Sequence, residues 1–197
     1  MEIKPIASSS KGNAYLISDF QTTVLIECGI PLKELKRKTN FIVPNVIDAC
    51  LISHEHGDHS KSLKDLLNAG VRCYALKEVF EAKEINNHHR AKRIKHLKQI
   101  DIGTFKIIPL EMNHDVPCVG FLIYSVVTNE KLLFATDTYM IKYAFHGLDY
   151  IMIEANYDIE LVEEDTQRKR LIQSHMSIDT TIQYLKSIDL NTVKKIY

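Results

Sequence analysis

Residues 51–60 read Leu51-Ile52-Ser53-His54-Glu55-His56-Gly57-Asp58-His59-Ser60. The segment closes an apolar run, Ala49 to Ile52, that reads as a short buried strand. Six positions, 54 to 59, then carry three histidines and two acids. In an extended segment a spacing of two puts His54 and His56 on one side. Gly57 lets the chain turn and return Asp58 and His59 toward the same point. Imidazoles and a carboxylate at one point form a divalent-metal site, and the cluster has little structural use unless something binds it. Four protein donors from so short a loop would crowd one coordination sphere, so the economical reading is two neighbouring ions, one near His54 and His56 and one near Asp58 and His59.

The chain outside this segment sets the context. Its 197 residues are 45% hydrophobic, enough for a sizeable core. Lys plus Arg and Asp plus Glu balance at 25 each, which argues against a general polycation that coats nucleic acid but allows local basic patches. Cys28, Cys50, Cys73 and Cys118 are far apart in apolar runs, the usage of reduced, buried thiols rather than a disulfide framework. The first residues do not read as a signal peptide, and no apolar run approaches the length of a membrane span. A cytoplasmic protein is expected, without a membrane partner; the oligomeric state stays open.

In order, Glu2–Ala7, Ala14–Ser18 and Thr22–Glu27 read as strands, with a polar turn at Ser8–Asn13 and a helix over Leu32–Lys38. Val46–Ile52 leads into the histidine cluster. A helix carrying Leu63, Leu66 and Leu67, a strand Val71–Ala75 and a helix Lys77–Ile85 follow. Ile102–Leu110, Val119–Val127, Lys131–Ala135 and Tyr150–Glu154 read as strands. Helical segments follow at 159–162, 168–173 and 180–187, and Asn191–Tyr197 reads as the start of a last strand. Two strand-rich stretches, each followed by helices and with no linker between, predict one α/β domain over residues 1–197: two packed sheets with helices outside.

Three later sites repeat the form of the first, a metal-competent residue at the exit of an apolar strand: His114 with Asp115, Asp137, and Glu154. His175, between Ser174 and Ser177, precedes a helix. Plainer readings stand beside these. A lone histidine after a strand is more often a loop residue; Asp137 before Thr138 suits a helix cap or Asx turn equally well; Glu154-Ala155-Asn156 could be a turn. Given two ions, a bridging carboxylate is needed, and Asp137 is the best candidate. Paired ions of this kind suit ester hydrolysis, phosphodiesters in particular.

His54-x-His56-x-Asp58-His59, with His114, with Asp137 in Phe134-Ala135-Thr136-Asp137-Thr138, and with Val24-Leu25-Ile26-Glu27-Cys28-Gly29, resembles the metallo-β-lactamase fold, a four-layer αββα sandwich of hydrolases. Glu27 stands where that family usually has aspartate. Ser9–Ile17 is similar to the family's opening segment. Glu154–Asp158 and His175-Met176-Ser177 resemble markers of its WalJ/YycJ-type bacterial and phage branch, which looks like DNA-directed 5′-exonucleases. The resemblance implies that His54, His56 and His114 hold a first ion, that Asp58 and His59 with a last histidine hold a second, and that Asp137 bridges them. Zinc, manganese or iron would suit these donors. No histidine follows the Thr180–Ser187 helix, so the expectation is a chain lacking the end of its C-terminal strand, with the second ion weak or absent.

The expected activity is metal-dependent hydrolysis of DNA by an activated hydroxide oriented by Asp58 and Asp137, with His175 donating a proton to the leaving oxygen. Thr136 or Glu27 would fix a ligand histidine. Two basic groups are candidates for a DNA backbone: Arg90, Lys92, Arg93 and Lys95 in one, Arg168, Lys169 and Arg170 in the other. Each reads equally well as a solvated face. The alternatives are a metal-binding or DNA-binding protein of this fold without turnover, and a hydrolase of a small phosphodiester or thioester. An open basic cleft would favour DNA, a narrow neutral pocket a small molecule.

Overall fold

The computed structural model describes residues 1–160 and 172–197. Two six-stranded mixed sheets carry helices on their outer faces, the α/β four-layer sandwich that the sequence predicts. The first sheet runs β1 (Glu2–Ala7), β2 (Ala14–Ser18), β3 (Thr23–Ile26), β4 (Ala49–Leu51), β5 (Cys73–Ala75) and β6 (Ala91–Arg93) in spatial order. β1 to β3 are antiparallel neighbours, whereas β3 to β6 are parallel. The parallel crossovers carry the helices α1 (Leu32–Lys38), α2 (Ile42–Asn45), α3 (Gly57–Ser60), α4 (Leu63–Asn68) and α5 (Lys77–Ala82). The second sheet has the spatial order β12 (Lys195–Ile196), β11 (Tyr150–Ile153), β10 (Lys131–Ala135), β9 (Cys118–Ser125), β8 (Phe105–Met112) and β7 (Ile100–Ile102). A ten-residue helix, α6 (Ile178–Ser187), precedes β12; Ser177 caps it by accepting a hydrogen bond from the Thr180 N–H.

Period-two patterning explains how the second sheet faces two cores. Along β10, Leu132 and Phe134 join the core shared with the first sheet. Leu133 and Ala135 face a second cluster, with Tyr184 of α6 and Ile188 just beyond it. Phe105, Phe121 and Phe134 are fully buried in the shared core beside Ile17, Leu25 and Leu51. The sheets are also joined by polar groups at the end where β3 begins. Buried Asp19 accepts from the Thr104 and Ser125 hydroxyls, both at 2.6 Å, and from the Thr22 N–H at 2.8 Å. Those bonds hold its carboxyl below the usual range although burial pushes the other way.

Some elements differ from expectation. The strand before the histidine cluster is only Ala49–Leu51, because α2 and its turn occupy the residues before it. Ala91–Arg93, inside the basic run, pairs with β5 and forms the edge of the first sheet. The first predicted helix after Asp158 fails at its start, since 159–160 are a turn; the remainder of it, and the segment 168–171 with Arg168, Lys169 and Arg170, lie outside the described residues. All four cysteines are free and buried, as expected. Among the described residues no helix is long and apolar enough to cross a membrane.

Candidate metal centre

The parallel direction of β3 and β4 puts Glu27 and the His54–His59 segment at one edge of the first sheet. β8, β10 and β11 run in a common direction, so His114, Asp137 and Glu154 leave the second sheet at one edge as well. The two edges meet through the Val119 N–H, which donates to the Ser53 carbonyl at 3.1 Å. The Asn113 N–H donates to the Thr138 hydroxyl at 2.9 Å, coupling the His114 loop to the Asp137 loop.

Three ring nitrogens converge here. His54 Nε2 lies 3.0 Å from His56 Nδ1, and His114 Nε2 lies 3.4 Å from the same atom. The outer nitrogens of two rings are tied back. His54 Nδ1 is 2.8 Å from the Ser53 hydroxyl, and His114 Nδ1 donates to the Ser174 carbonyl at 2.9 Å. The Ser174 carbonyl can only accept, so His114 keeps its proton on Nδ1 and turns the Nε2 lone pair to the cluster, the device by which a protein aims an imidazole at a metal; the Ser53 hydroxyl positions the His54 ring. Both rings stay neutral. Burial, then the neighbouring imidazoles, holds His54 well below the usual range; burial takes His114 down to about 4. Asp115 Oδ1 stands 3.1 Å from His114 Nε2 at the mouth of this triad.

A second donor group adjoins the first. Buried His59 has Nε2 3.3 Å from Asp137 Oδ2 and 3.4 Å from Asp58 Oδ2, and Nδ1 3.6 Å from Glu27 Oε2. Among the described residues His59 Nδ1 makes no hydrogen bond. Burial opposes a proton on this ring, but Glu27, Asp58 and Asp137 outweigh it and push His59 up to about 11. Asp58 is held below its ordinary value by His59, against the effect of burial. Burial pushes Asp137 up to about 6 against the pull of His59. Asp137 takes a left-handed φ of 54°, uncommon for a non-glycine residue, which suits a carboxylate aimed by its backbone.

Donor atoms of His54, His56 and His114 lie within 4.8 Å of one another, as do those of His54, His59 and Asp137, and those of Asp137, Glu154 and His175. Clustered ring nitrogens and crowded carboxylates fit divalent cations.

The structure gives Glu154 and His175 a partnership that sequence reading missed. His175 Nδ1 is 2.9 Å from Glu154 Oε2, which also accepts from Asn156 Nδ2 at 2.8 Å. Glu154 Oε1 accepts from the Thr138 N–H at 2.6 Å. Burial lowers the affinity of His175 for a proton, but the Glu154 hydrogen bond outweighs it and raises the ring above its usual value. The common strand-exit pattern was the available signal for Glu154. Asn13 was also missed: its Nδ2 lies 3.2 Å from His59 Nε2. Of the two expected orienting groups, Glu27 faces His59. The buried Thr136 hydroxyl makes no hydrogen bond among the described residues, so it orients none of their histidines.

His56, Asp58, His114, Asp137, Glu154 and His175 line a cavity of about 1180 Å³ together with Ser8, Ser9, Ser10, Tyr15 and Tyr197. Among the described residues no lysine or arginine lines it. Arg90, Lys92, Arg93 and Lys95 lie on and around the β6 edge strand, outside this cavity. The parallel register places Lys95 beyond the same edge of the sheet as the histidine cluster, whereas Arg90 precedes the strand at the other end.

The family model described as "Beta-lactamase superfamily domain" matches residues 22–196. The chain is 28% identical over 218 aligned positions to the exodeoxyribonuclease WalJ of Streptococcus pneumoniae, covering 98% of this chain and 78% of that protein. It is similar in fold to the metallo-beta-lactamase fold protein YhfI from Bacillus subtilis (TM-score 0.66, 18% identity, 89% of this chain and 76% of that one). It is likewise similar to a diphosphatase from the PhnP family (TM-score 0.64, 19% identity, 98% and 76%). With the histidine and aspartate clusters at the edge where the two sheets meet, and with a family match over most of its length, the chain belongs to the beta-lactamase superfamily domain family.

Proposed function

We propose that this protein is a metal-dependent phosphodiesterase that releases nucleotides from a 5′ end of DNA. The observation that carries the reading is the pair of adjoining donor groups on the floor of a large open cavity. Small-molecule pockets typically span about 300–1,000 Å³, so 1180 Å³ leaves room for a strand end. The likeness to an exodeoxyribonuclease over 98% of the chain supports DNA as the substrate.

In this reading His54, His56 and His114 would hold a first ion and Asp58 and His59 would contribute to a second, with Asp137 available to both. Bound there, divalent ions supply Lewis acidity that lowers the pKa of a water and offsets charge on the phosphoryl oxygens. Asp58 and Asp137 accept hydrogen bonds from the attacking water and set its direction. Glu27, 3.6 Å from His59 Nδ1, attracts that side of the ring electrostatically and leaves Nε2 facing Asp58 and Asp137. His175 gives a proton to the leaving oxygen from Nε2, while its Nδ1–H stays on Glu154, which favours the charged ring needed for donation. Divalent-dependent release of nucleotides from 5′-labelled DNA, abolished in Asp58→Ala, tests this; a wild-type protein loaded with zinc, manganese or iron that releases none refutes it.

A second reading is a hydrolase of a small phosphodiester. It is favoured by one feature, the absence of lysine and arginine from the described cavity wall. Affinity for DNA that falls steeply with salt would decide for the polynucleotide.

A further inference from the structure

The donor groups account for only part of the cavity wall. The rest of one side is the turn between β1 and β2, with Ser8, Ser9, Ser10, Asn13 and Tyr15 facing the same space as His56, Asp58 and Asp137. This turn is fastened to the metal-ligand segment. The Asn13 N–H donates to the Asp58 carbonyl at 2.7 Å, and the Gly29 N–H donates to the Asn13 carbonyl at 2.9 Å. Gly12 has φ of 155°, and a Cβ there would meet the Gly29 carbonyl at 2.6 Å, so only glycine lets the turn seat this closely. The serines are therefore held in register with the reacting centre.

Hydrogen-bond accounting shows which groups on the turn have capacity left. The Asn13 amide is spent: Nδ2 serves the Ser9 carbonyl and His59, and Oδ1 accepts from the Ser9 N–H and the Tyr15 hydroxyl. The single Tyr15 proton is shared between Asn13 Oδ1 at 3.2 Å and the nearer Ser8 Oγ at 3.0 Å. Ser9 Oγ accepts from the Lys11 N–H at 3.2 Å. Ser8 and Ser9 thus use their oxygens as acceptors and, among the described residues, donate their own protons to nothing. The Ser10 hydroxyl has no hydrogen bond there either. Three outward O–H donors on a rigid turn match an anionic acceptor with several oxygens. A bond from a neutral donor to an ionised acceptor is about twice as strong as one between neutral groups.

We propose that Ser8, Ser9 and Ser10 form a neutral phosphate subsite that takes the phosphodiester next to the one being cleaved in a nucleic-acid strand. The inference rests on the phosphodiesterase reading above and adds how the strand is held in a cavity whose described wall has no lysine or arginine. Hydroxyl donors grip a phosphate without placing a further positive charge beside divalent ions.

The test compares two substrates in Ser8→Ala/Ser10→Ala. This variant keeps the Ser9 bond that closes the turn. Loss of two hydroxyl bonds to a charged acceptor is expected to raise KM for a short single-stranded oligonucleotide about tenfold or more, with kcat within about twofold. Bis(4-nitrophenyl) phosphate, which has no flanking phosphate, should be cleaved at the wild-type kcat/KM. Independently of turnover, a fluorescein-labelled single strand in EDTA should bind the variant about tenfold more weakly, with an unchanged slope of affinity against salt, because neutral groups displace no counterions. Ser10→Glu, on an exposed position, should weaken that binding further. Equal strand affinity of wild type and variants, or equal losses on both substrates, overturns the proposal. A wild type that cleaves neither substrate in any metal overturns the phosphodiesterase reading instead, and the EDTA titration still decides whether the serines hold a strand.

Discussion

Replacing Gly29 with alanine tests whether the metal-ligand geometry is set by backbone contact. An added Cβ would lie 1.5 Å from the Asp58 carbonyl oxygen, 2.2 Å from the Asp58 carbonyl carbon and 2.8 Å from the Asn13 nitrogen. All three are backbone atoms, so no rotamer change relieves the clash. Ordinary contact between non-bonded heavy atoms needs about 3.5 Å, so the Asp58 peptide must retreat by roughly 2 Å. Retreat breaks the Asn13 N–H to Asp58 bond at 2.7 Å and pulls at the Cys28 N–H bond to the His59 carbonyl at 2.8 Å. Overpacking of this kind typically costs about 1–3 kcal/mol, and a bond pair lost with it adds about 1–3 more. A functional site tolerates only about 0.5 Å of displacement, so metal affinity should fall well beyond the loss of stability. The assays are thermal unfolding with and without added zinc or manganese, and metal titration of the folded variant. Gly29→Ala should lower Tm and largely abolish the metal-induced rise in Tm, while Gly57→Ala, whose Cβ would meet nothing within 4 Å, keeps both. A folded Gly29→Ala protein that binds metal with wild-type affinity would refute the coupling.

Other outcomes follow from the same geometry. His114→Ala removes one of three converging nitrogens and should weaken metal binding at least tenfold, measured by competition with a chromogenic chelator. Glu154→Gln should lower kcat about ten- to a hundredfold and move the alkaline limb of the pH–rate profile to lower pH, since His175 loses the carboxylate that raises its proton affinity and so gives up the donor proton earlier; metal content should not change. Glu130 ties Lys194 and Tyr150 together, bonds the amino terminus, and is held down to about 2. A depressed carboxylate contributes stability above its unfolded value and loses it as pH falls through the folded one. Wild type and Glu130→Gln should therefore differ in stability above about pH 4.5 and converge toward about pH 2 in acid unfolding curves. Phe134→Ala empties the centre of the shared core and should cost about 3–5 kcal/mol in urea unfolding.

The sequence by itself determined the chemistry at 54–59, the strand-exit positions of His114 and Asp137, and the α/β class. Ligand types at fixed spacing and period-two or helical apolar patterns are local properties, and local order carries them. Glu27 could be suspected as an orienting group because it follows β3 directly. Only the tertiary structure shows how His54, His56 and His114, which the resemblance groups, come together: two sheet edges 60 residues apart meet through Ser53 and Val119. It paired His175 with Glu154 at 2.9 Å, with Asp137 farther away at 3.6 Å, and brought Asn13 to His59, because each pair joins separate segments and no spacing encodes it. It also took the basic run 90–95 away from the cavity. Pairing of Ala91–Arg93 with β5 is a long-range choice of edge, which charge along the chain does not reveal.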